Sequence, residues 1–189
     1  GRGEINQLHL PYQAESSFSI VINGADEMRK VCRTLVREGV DLLKVNLSGD
    51  LGQPRAHSEQ TVMTDAEVAA CVEVARSRNL RVCCHARSAE AVRMALRHEI
   101  PVIYHANYAD EDALDRLEAA KDLVFVAPAL GITHALCYRA ERWGTTYQKA
   151  EERGLVRELE CGIAATRALH KRGVRVLPGG DYGFAWTPH

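Results

Sequence analysis

The sequence alternates, from about residue 25 onward, between stretches with helical periodicity and short runs rich in β-branched residues. The helical stretches cover residues 26–38, 64–78, 89–98 and 110–120. The extended runs cover residues 42–47, 80–84, 101–104, 123–126 and 174–177. Because this alternation is typical of β/α units around a parallel sheet, we predict an α/β fold with five buried parallel strands. Residues 1–20 carry no comparable pattern.

Residues at the ends of the predicted elements support this interpretation. Thr64 and Glu67 have the spacing of a helix N-cap with an acid at the third helical position. Gly39 and Gly173 each precede a predicted strand, where they would end the preceding helix. The connections from helix to strand are therefore short, whereas segments 48–63 and 129–146 form long loops. Parallel α/β folds place their sites on such loops, so we expect function at that edge of the sheet.

Composition argues against several classes of function. The 24 basic and 25 acidic residues are interspersed and give a formal net charge of −1, so neither a nucleic acid nor a membrane is expected as a partner. No apolar run has the roughly 18 residues of a membrane span, and no signal peptide opens the chain, which favours the cytoplasm. The six cysteines form no C-x-x-C pair, and we predict that they are reduced and buried.

Four residues that can bind a metal lie at or beside the ends of predicted strands: Lys44, His85, His105 and Asp181. The carboxyl ends of neighbouring parallel strands converge on one point, so residues far apart in sequence can share one ion. The one remaining predicted strand, at 123–126, carries no such residue. Taken singly, His85 is equally compatible with a hydrogen-bonded core histidine, and Asp181 with a cap on the turn after two glycines.

Lys44 interrupts an apolar strand that we expect to be buried on both faces. An unpaired ammonium group would cost several kcal/mol there. Burial favours the neutral amine, which can take up carbon dioxide and become a carbamate that bridges two metal ions. One alternative is an ion pair with Asp41 or Asp181. Another is a metal-independent barrel enzyme that uses Lys44 to form a Schiff base.

With these residues in order, the chain resembles the amidohydrolase superfamily, particularly its imidazolonepropionase-like and prolidase-like branch. The resemblance covers roughly residues 21–189. The matching stretches are NGADEMR at 23–29, GVDLLKV at 39–45, SGD at 48–50, CHARSAE at 84–90, VIYHA at 102–106 and GGD at 179–181.

The resemblance implies a partial (β/α)8 TIM-type barrel in which the five predicted strands are strands four to eight. It implies Lys44 as a carboxylated bridging ligand and His85 and His105 as ligands of the second metal. Asp181 would be a ligand of the first metal and the catalytic proton shuttle. The implied cofactors are one or two divalent ions, zinc first, with carbon dioxide for the lysine.

The sequence departs from the family because it contains no His-x-His pair, which the family carries on its first strand. We therefore expect residues 1–189 to be the C-terminal part of a catalytic barrel domain, without its N-terminal strands and C-terminal tail. Such a segment would expose sheet edges and an open core, so by itself it is expected to be inactive.

The implied reaction is hydrolysis of a carbon–nitrogen bond in an amide, carbamate, urea or cyclic amide. The partner is a small-molecule substrate, and a homo-oligomer is compatible with the sequence. Arg87, Tyr104, His134 and Tyr182 are candidate substrate-binding residues. Further polar candidates around the mouth are Asn46, Asn107, Tyr138 and His189. The main alternative is a non-catalytic α/β module that binds a small molecule and lacks stoichiometric metal.

Overall fold

A single parallel sheet organises the chain. The computed structural model describes residues 2–6, 19–51 and 55–188. The strands within these residues are β1 (Arg2–Asn6), β2 (Ile20–Val21), β3 (Leu42–Asn46), β4 (Arg81–Ser88), β5 (Val102–Tyr108), β6 (Phe125–Ala127) and β7 (Arg175–Val176). They are hydrogen-bonded in the order β2-β1-β3-β4-β5-β6-β7, and every pairing is parallel. The predicted α/β class is confirmed, but the count of five strands is wrong because β1 and β2 precede them.

From β2 onward, helices connect the successive strands and cover the sheet. They are α1 (Ala25–Arg37), α2 (Asp65–Ser77), α3 (Ala89–Arg97), α4 (Glu111–Ala119), α5 (Leu130–Tyr138), α6 (Tyr147–Glu152) and α7 (Leu155–Lys171). The first four agree with the predicted helices to within one residue at each end. The predicted loop at 129–146 is wrong, since it contains α5 and a 3-10 turn at Glu141–Trp143. Helix α5 is apolar on nearly all sides, so it has no amphipathic period to detect.

The predicted helix ends are confirmed by their hydrogen bonds. The Thr64 hydroxyl accepts from the Glu67 N–H at 3.3 Å, and the Glu67 carboxylate accepts from the Thr64 N–H at 2.8 Å. The same carboxylate accepts from the Gly24 N–H at 2.8 Å, which ties the start of α2 to the start of α1. Gly39 and Gly173 have φ values of +84° and +75°, a left-handed conformation that ends α1 and α7 before the next strand.

The main core lies between the sheet and helices α1 to α4, with residues such as Leu43, Val45, Ile103 and Leu117 fully buried. A smaller cluster joins α5, α6 and α7. The six cysteines all lie in the described residues and form no disulfide, and all except the half-buried Cys161 are buried. None of the helices in the described residues combines the length and apolar character needed to cross a membrane.

Candidate active site

His85 and His105 are brought together at the carboxyl ends of neighbouring strands. His85 is opposite Tyr104 in the β4–β5 register, and His105 is opposite Ala86. The centroids of the two imidazole rings are 4.6 Å apart, with an angle of 70° between the ring planes. The two side chains are only 3% and 4% exposed. Two of the four predicted ligands therefore lie side by side in a largely water-free environment.

Burial makes both imidazoles neutral. It lowers the pKa of His85 to about 4, and the nearby positive charges of Arg87 and Lys44 act in the same direction, against Asp50 and the Gly49 carbonyl. Burial, with Arg87, His85 and Lys44, also places the pKa of His105 well below its ordinary range. A neutral imidazole carries one N–H and one lone pair, and the lone pair is what a metal ion binds.

Hydrogen bonding assigns the tautomer of His85. Its Nε2 is 2.8 Å from the Gly49 carbonyl oxygen. Because a carbonyl oxygen can only accept, Nε2 carries the proton and the lone pair lies on Nδ1. In His105, Nδ1 is buried and has no hydrogen-bond partner among the described residues. Leaving such a nitrogen unsatisfied is costly, and a bound cation would satisfy it. This side of the site therefore fits a divalent metal ion.

Backbone strain collects at the same edge of the sheet. His105 and Ala106 have φ values of +79° and +55° inside β5, and Ala129 and Asp181 have +52° and +55° after β6 and β7. The remaining described non-glycine residues with positive φ directly follow helices, where this conformation is an ordinary termination. Strained residues that do not end helices cluster at functional sites. The strain therefore marks the carboxyl edge independently of residue type.

Lys44 and Asp181 lie in more open surroundings than the histidine pair. Lys44 is half-buried, not fully buried as predicted, and its Nζ is 5.7 Å from the centroid of the Tyr104 ring. Asp181 is exposed; its charge helps burial to raise the pKa of Tyr104 to about 12. Within residues 19–51 and 55–188, no three His, Cys, Asp or Glu side chains meet in a metal-binding group.

The candidate substrate-binding residues occupy different environments. Tyr104 is half-buried beside Lys44, whereas His134 and Tyr182 are exposed. A Cβ on Gly131 would be 2.8 Å from the Gly180 Cα, so the start of α5 abuts the segment that carries Asp181 and Tyr182. The rings of His134 and Tyr138 pack against each other on α5, with centroids 5.0 Å apart and an angle of 46° between their planes. Asn46 and Asn107 are buried, and His189 lies outside the described residues.

Arg87 is the candidate whose surroundings differ most from those of a substrate-binding residue. It is 1% exposed, and its guanidinium binds Asp50, Asn107 and Glu158. Glu158, on α7, was missed by the sequence analysis. The available signal was an acid among Leu155, Val156 and Leu159, on a helix of which only the end at Gly173 was predicted.

Comparison with known proteins supports the fold and the family. The chain is 24% identical to ochratoxinase from Aspergillus niger over 169 residues, which cover 85% of this chain and 32% of that protein. The crystal structure of A. niger ochratoxinase superposes with a TM-score of 0.78 at 17% identity, over 95% of this chain and 45% of that one. A prolidase complexed with N-methylphosphonate-L-proline gives a TM-score of 0.83 at 20% identity, over 99% and 48%.

These proteins are similar in fold, and the chain spans about a third of the length of the curated relative and about half of the two structures. The model of the Amidohydrolase family matches residues 8–185, which is nearly the whole sequence. The chain belongs to the Amidohydrolase family.

Proposed function

We propose that the protein is a metal-dependent hydrolase that cleaves a carbon–nitrogen bond of a small amide, carbamate, urea or cyclic amide. The observation that carries this proposal is the pair of neutral, buried imidazoles of His85 and His105, whose ring centroids are 4.6 Å apart. Neutral imidazole is the commonest side-chain ligand of zinc and related ions. Membership of the Amidohydrolase family supports the same reaction class.

In this proposal Lys44, His85, His105 and Asp181 hold one or two divalent ions, with zinc as the first choice. The histidines offer nitrogen lone pairs and Asp181 a carboxylate. Lys44 offers its amine or, after uptake of carbon dioxide with release of one proton, a carbamate with two oxygen donors. Such an ion, when bound, supplies a water with a pKa lowered toward about 7 and polarises the substrate carbonyl.

The chain's own residues then handle protons and substrate. Asp181 accepts the proton of the attacking water and delivers it to the leaving nitrogen, so the carbon–nitrogen bond breaks with a neutral amine as product. Tyr104 is protonated at neutral pH, and burial raises its pKa further, to about 12, so its hydroxyl can donate a hydrogen bond to a substrate oxygen. We propose that His134, on α5, and Tyr182, next to Asp181 in sequence, contact the substrate. A homo-oligomer and a cytoplasmic location remain predictions.

The test measures bound metal per chain and hydrolysis of a panel of amides, carbamates and ureas. It uses the natural chain that contains these residues, produced with zinc and bicarbonate. We expect about one or two ions per chain. His85→Ala, His105→Ala and Asp181→Asn should each lower both metal content and hydrolysis, with hydrolysis falling about 100-fold or more.

His170→Ala is the matched control, because His170 is exposed in the last turn of α7, at the opposite edge of the sheet. This variant should retain its metal and its activity. A folded wild-type protein that binds no metal would overturn the proposal and favour a non-catalytic small-molecule-binding module.

A further inference from the structure

Arg87 lies two positions after His85 on β4 and is almost completely buried, which is rare for an arginine. Its Nε donates to Asp50 at 2.9 Å, and its Nη1 donates to Glu158 at 2.8 Å and to Asn107 at 3.2 Å. A buried cation persists only when such partners compensate for lost water. One guanidinium therefore joins the loop after β3, strand β5 and helix α7.

The loop after β3 contains Ser48, Gly49 and Asp50 near its start, and each of these residues bonds to β4. The Ser48 hydroxyl accepts from the Arg87 backbone N–H at 2.8 Å and donates to the Gly49 carbonyl at 2.9 Å. The same carbonyl accepts from His85 Nε2 at 2.8 Å. Asp50 accepts from the Arg87 side chain. Arg87 therefore holds the residues on both sides of the carbonyl that His85 binds.

The returning segment of the same loop fixes that carbonyl from its other side. The Gly49 N–H donates to Gln60 and the Asp50 N–H to Ala56, both at 2.9 Å. A Cβ on Gly49 would be 1.9 Å from the Ala56 carbonyl oxygen and 2.2 Å from that of His57. Only glycine permits this approach. The Gly49 carbonyl, which accepts the His85 proton, is thus held by bonds to β4 on one side and to the returning loop segment on the other.

We propose that Arg87, acting through Ser48, Gly49 and Asp50, is a positioning residue that fixes the tautomer and ring orientation of His85. The Gly49 carbonyl keeps the proton on Nε2 and leaves the Nδ1 lone pair for a ligand. Outer partners of metal-binding histidines act in this way and typically change metal affinity 10–100-fold. The consequence for metal binding rests on the proposed function, whereas the tautomer does not.

The burial of Arg87 favours this role over direct contact with substrate. Its three side-chain partners are all protein groups, and the only one of them with appreciable exposure is Asp50. A substrate would have to displace Asp50 or Glu158 to reach the guanidinium. The same arrangement explains the SGD motif at 48–50, since all three residues help to hold the Gly49 carbonyl that accepts the His85 proton.

The experiment compares Arg87→Lys and Asp50→Asn with Asp110→Asn in the natural chain that contains these residues. Asp110 is the matched control because it also accepts from an arginine, Arg93, and from a backbone N–H. Long-range ¹H–¹⁵N correlation spectra of the metal-free protein report the tautomer, and loss of a signal in His85→Gln assigns it. Competition with a chelator gives the zinc affinity.

We expect wild type and Asp110→Asn to show the Nε2–H tautomer of His85 alone. Arg87→Lys and Asp50→Asn should show averaged shifts of the two ring nitrogens and zinc affinity reduced about 10–100-fold. Folded variants with an unchanged His85 tautomer overturn the inference, even if their stability is lower. Should Arg87→Lys fail to fold, Asp50→Asn and Ser48→Ala decide the question. A wild type without zinc would contradict the proposed function, while its tautomer still tests this inference.

Discussion

A buried arginine cluster and an exposed one are built from the same groups at nearly the same distances. In the buried cluster, Arg87 binds Asp50, Glu158 and Asn107. In the exposed cluster, on the adjoining helix α3, Arg93 binds Glu90, Asp110 and Asp112. The shortest contact in each is 2.8 Å, yet Arg87 is 1% exposed and Arg93 is 21% exposed. Access to water, not bond length, distinguishes the two clusters.

The difference in exposure affects the pKa values of the carboxyl groups in the two clusters. Burial raises the pKa of Glu158 despite the opposing charge of Arg87. Burial also acts to raise the pKa of Asp50, but Arg87, His85 and the Leu51 N–H outweigh it, so that pKa is lowered. In the exposed cluster, hydrogen bonds from Arg93 to Glu90, and from Ala113 and Arg93 to Asp110, lower both pKa values. Only in the buried cluster do the pKa values of the two acids shift in opposite directions.

The largest expected effect is the loss of the buried cation. Arg87→Leu leaves the buried Glu158 and the partly exposed Asp50 without their counter-ion. It should lower the free energy of unfolding by about 3–5 kcal/mol, mainly because the Glu158 charge is then stranded away from water. Urea denaturation at neutral pH measures this loss in the free energy of unfolding. The double variant Arg87→Leu/Glu158→Gln should recover part of the loss, since it also removes the stranded charge. A loss as small as the roughly 0.2–1 kcal/mol typical of exposed pairs would break the comparison.

The second-largest expected effect is a pH dependence of stability that arises from His85, next to the buried cluster. In the metal-free protein, His85 beside the buried cluster has a pKa of about 4, below its ordinary 6.5. The unfolded chain therefore binds the proton more tightly. Stability from neutral His85 is complete above about pH 6.5 and is lost as the pH falls toward about 4, roughly 3 kcal/mol in all. The low pKa of His105 acts in the same direction.

Denaturation curves at intervals across this pH range provide the measurement. His85→Gln should flatten the dependence, because a residue that does not titrate replaces the buried imidazole. His98→Gln should leave most of it, since His98 bonds to Asp65 at the protein surface. A stability that does not change across this range in the metal-free wild type would contradict the assignment of two neutral, buried histidines.

The same contrast separates what the sequence could reveal of the fold from what it could not. Helices α1 to α4 were predicted because local patterns and caps such as Thr64 and Glu67 carry their signal. Only the end of α7, at Gly173, was predicted, because Gly162 and Glu158 interrupt the buried face along its length. Both residues serve distant partners: a Cβ on Gly162 would lie 2.5 Å from the Asn107 amide, and Glu158 binds Arg87.

The candidate site also contains residues that the sequence could reveal and residues that it could not. The ends of the predicted strands pointed to His85 and His105, the family resemblance gave them a role as metal ligands, and strand order explains why they meet. The buried cluster was not predicted because its members come from residues 50, 87, 107 and 158, and no local pattern links them. The burial of Arg87 follows from β4 extending to Ser88, beyond the predicted end at residue 84. The apolar run ends there, so composition could not reveal that the strand continues.

The smallest expected effect is that of Arg93→Leu, the counterpart of Arg87→Leu. Glu90 and Asp110 are about half exposed, so water replaces the lost hydrogen bonds, and Asp110 still caps α4 through the Ala113 N–H at 2.9 Å. We expect a loss of about 0.2–1 kcal/mol in the same urea assay. Near 1 M salt the Debye length is about 3 Å, so this loss should shrink while that of Arg87→Leu persists. If both losses shrank equally, water would reach Arg87 and the distinction between the clusters would fail.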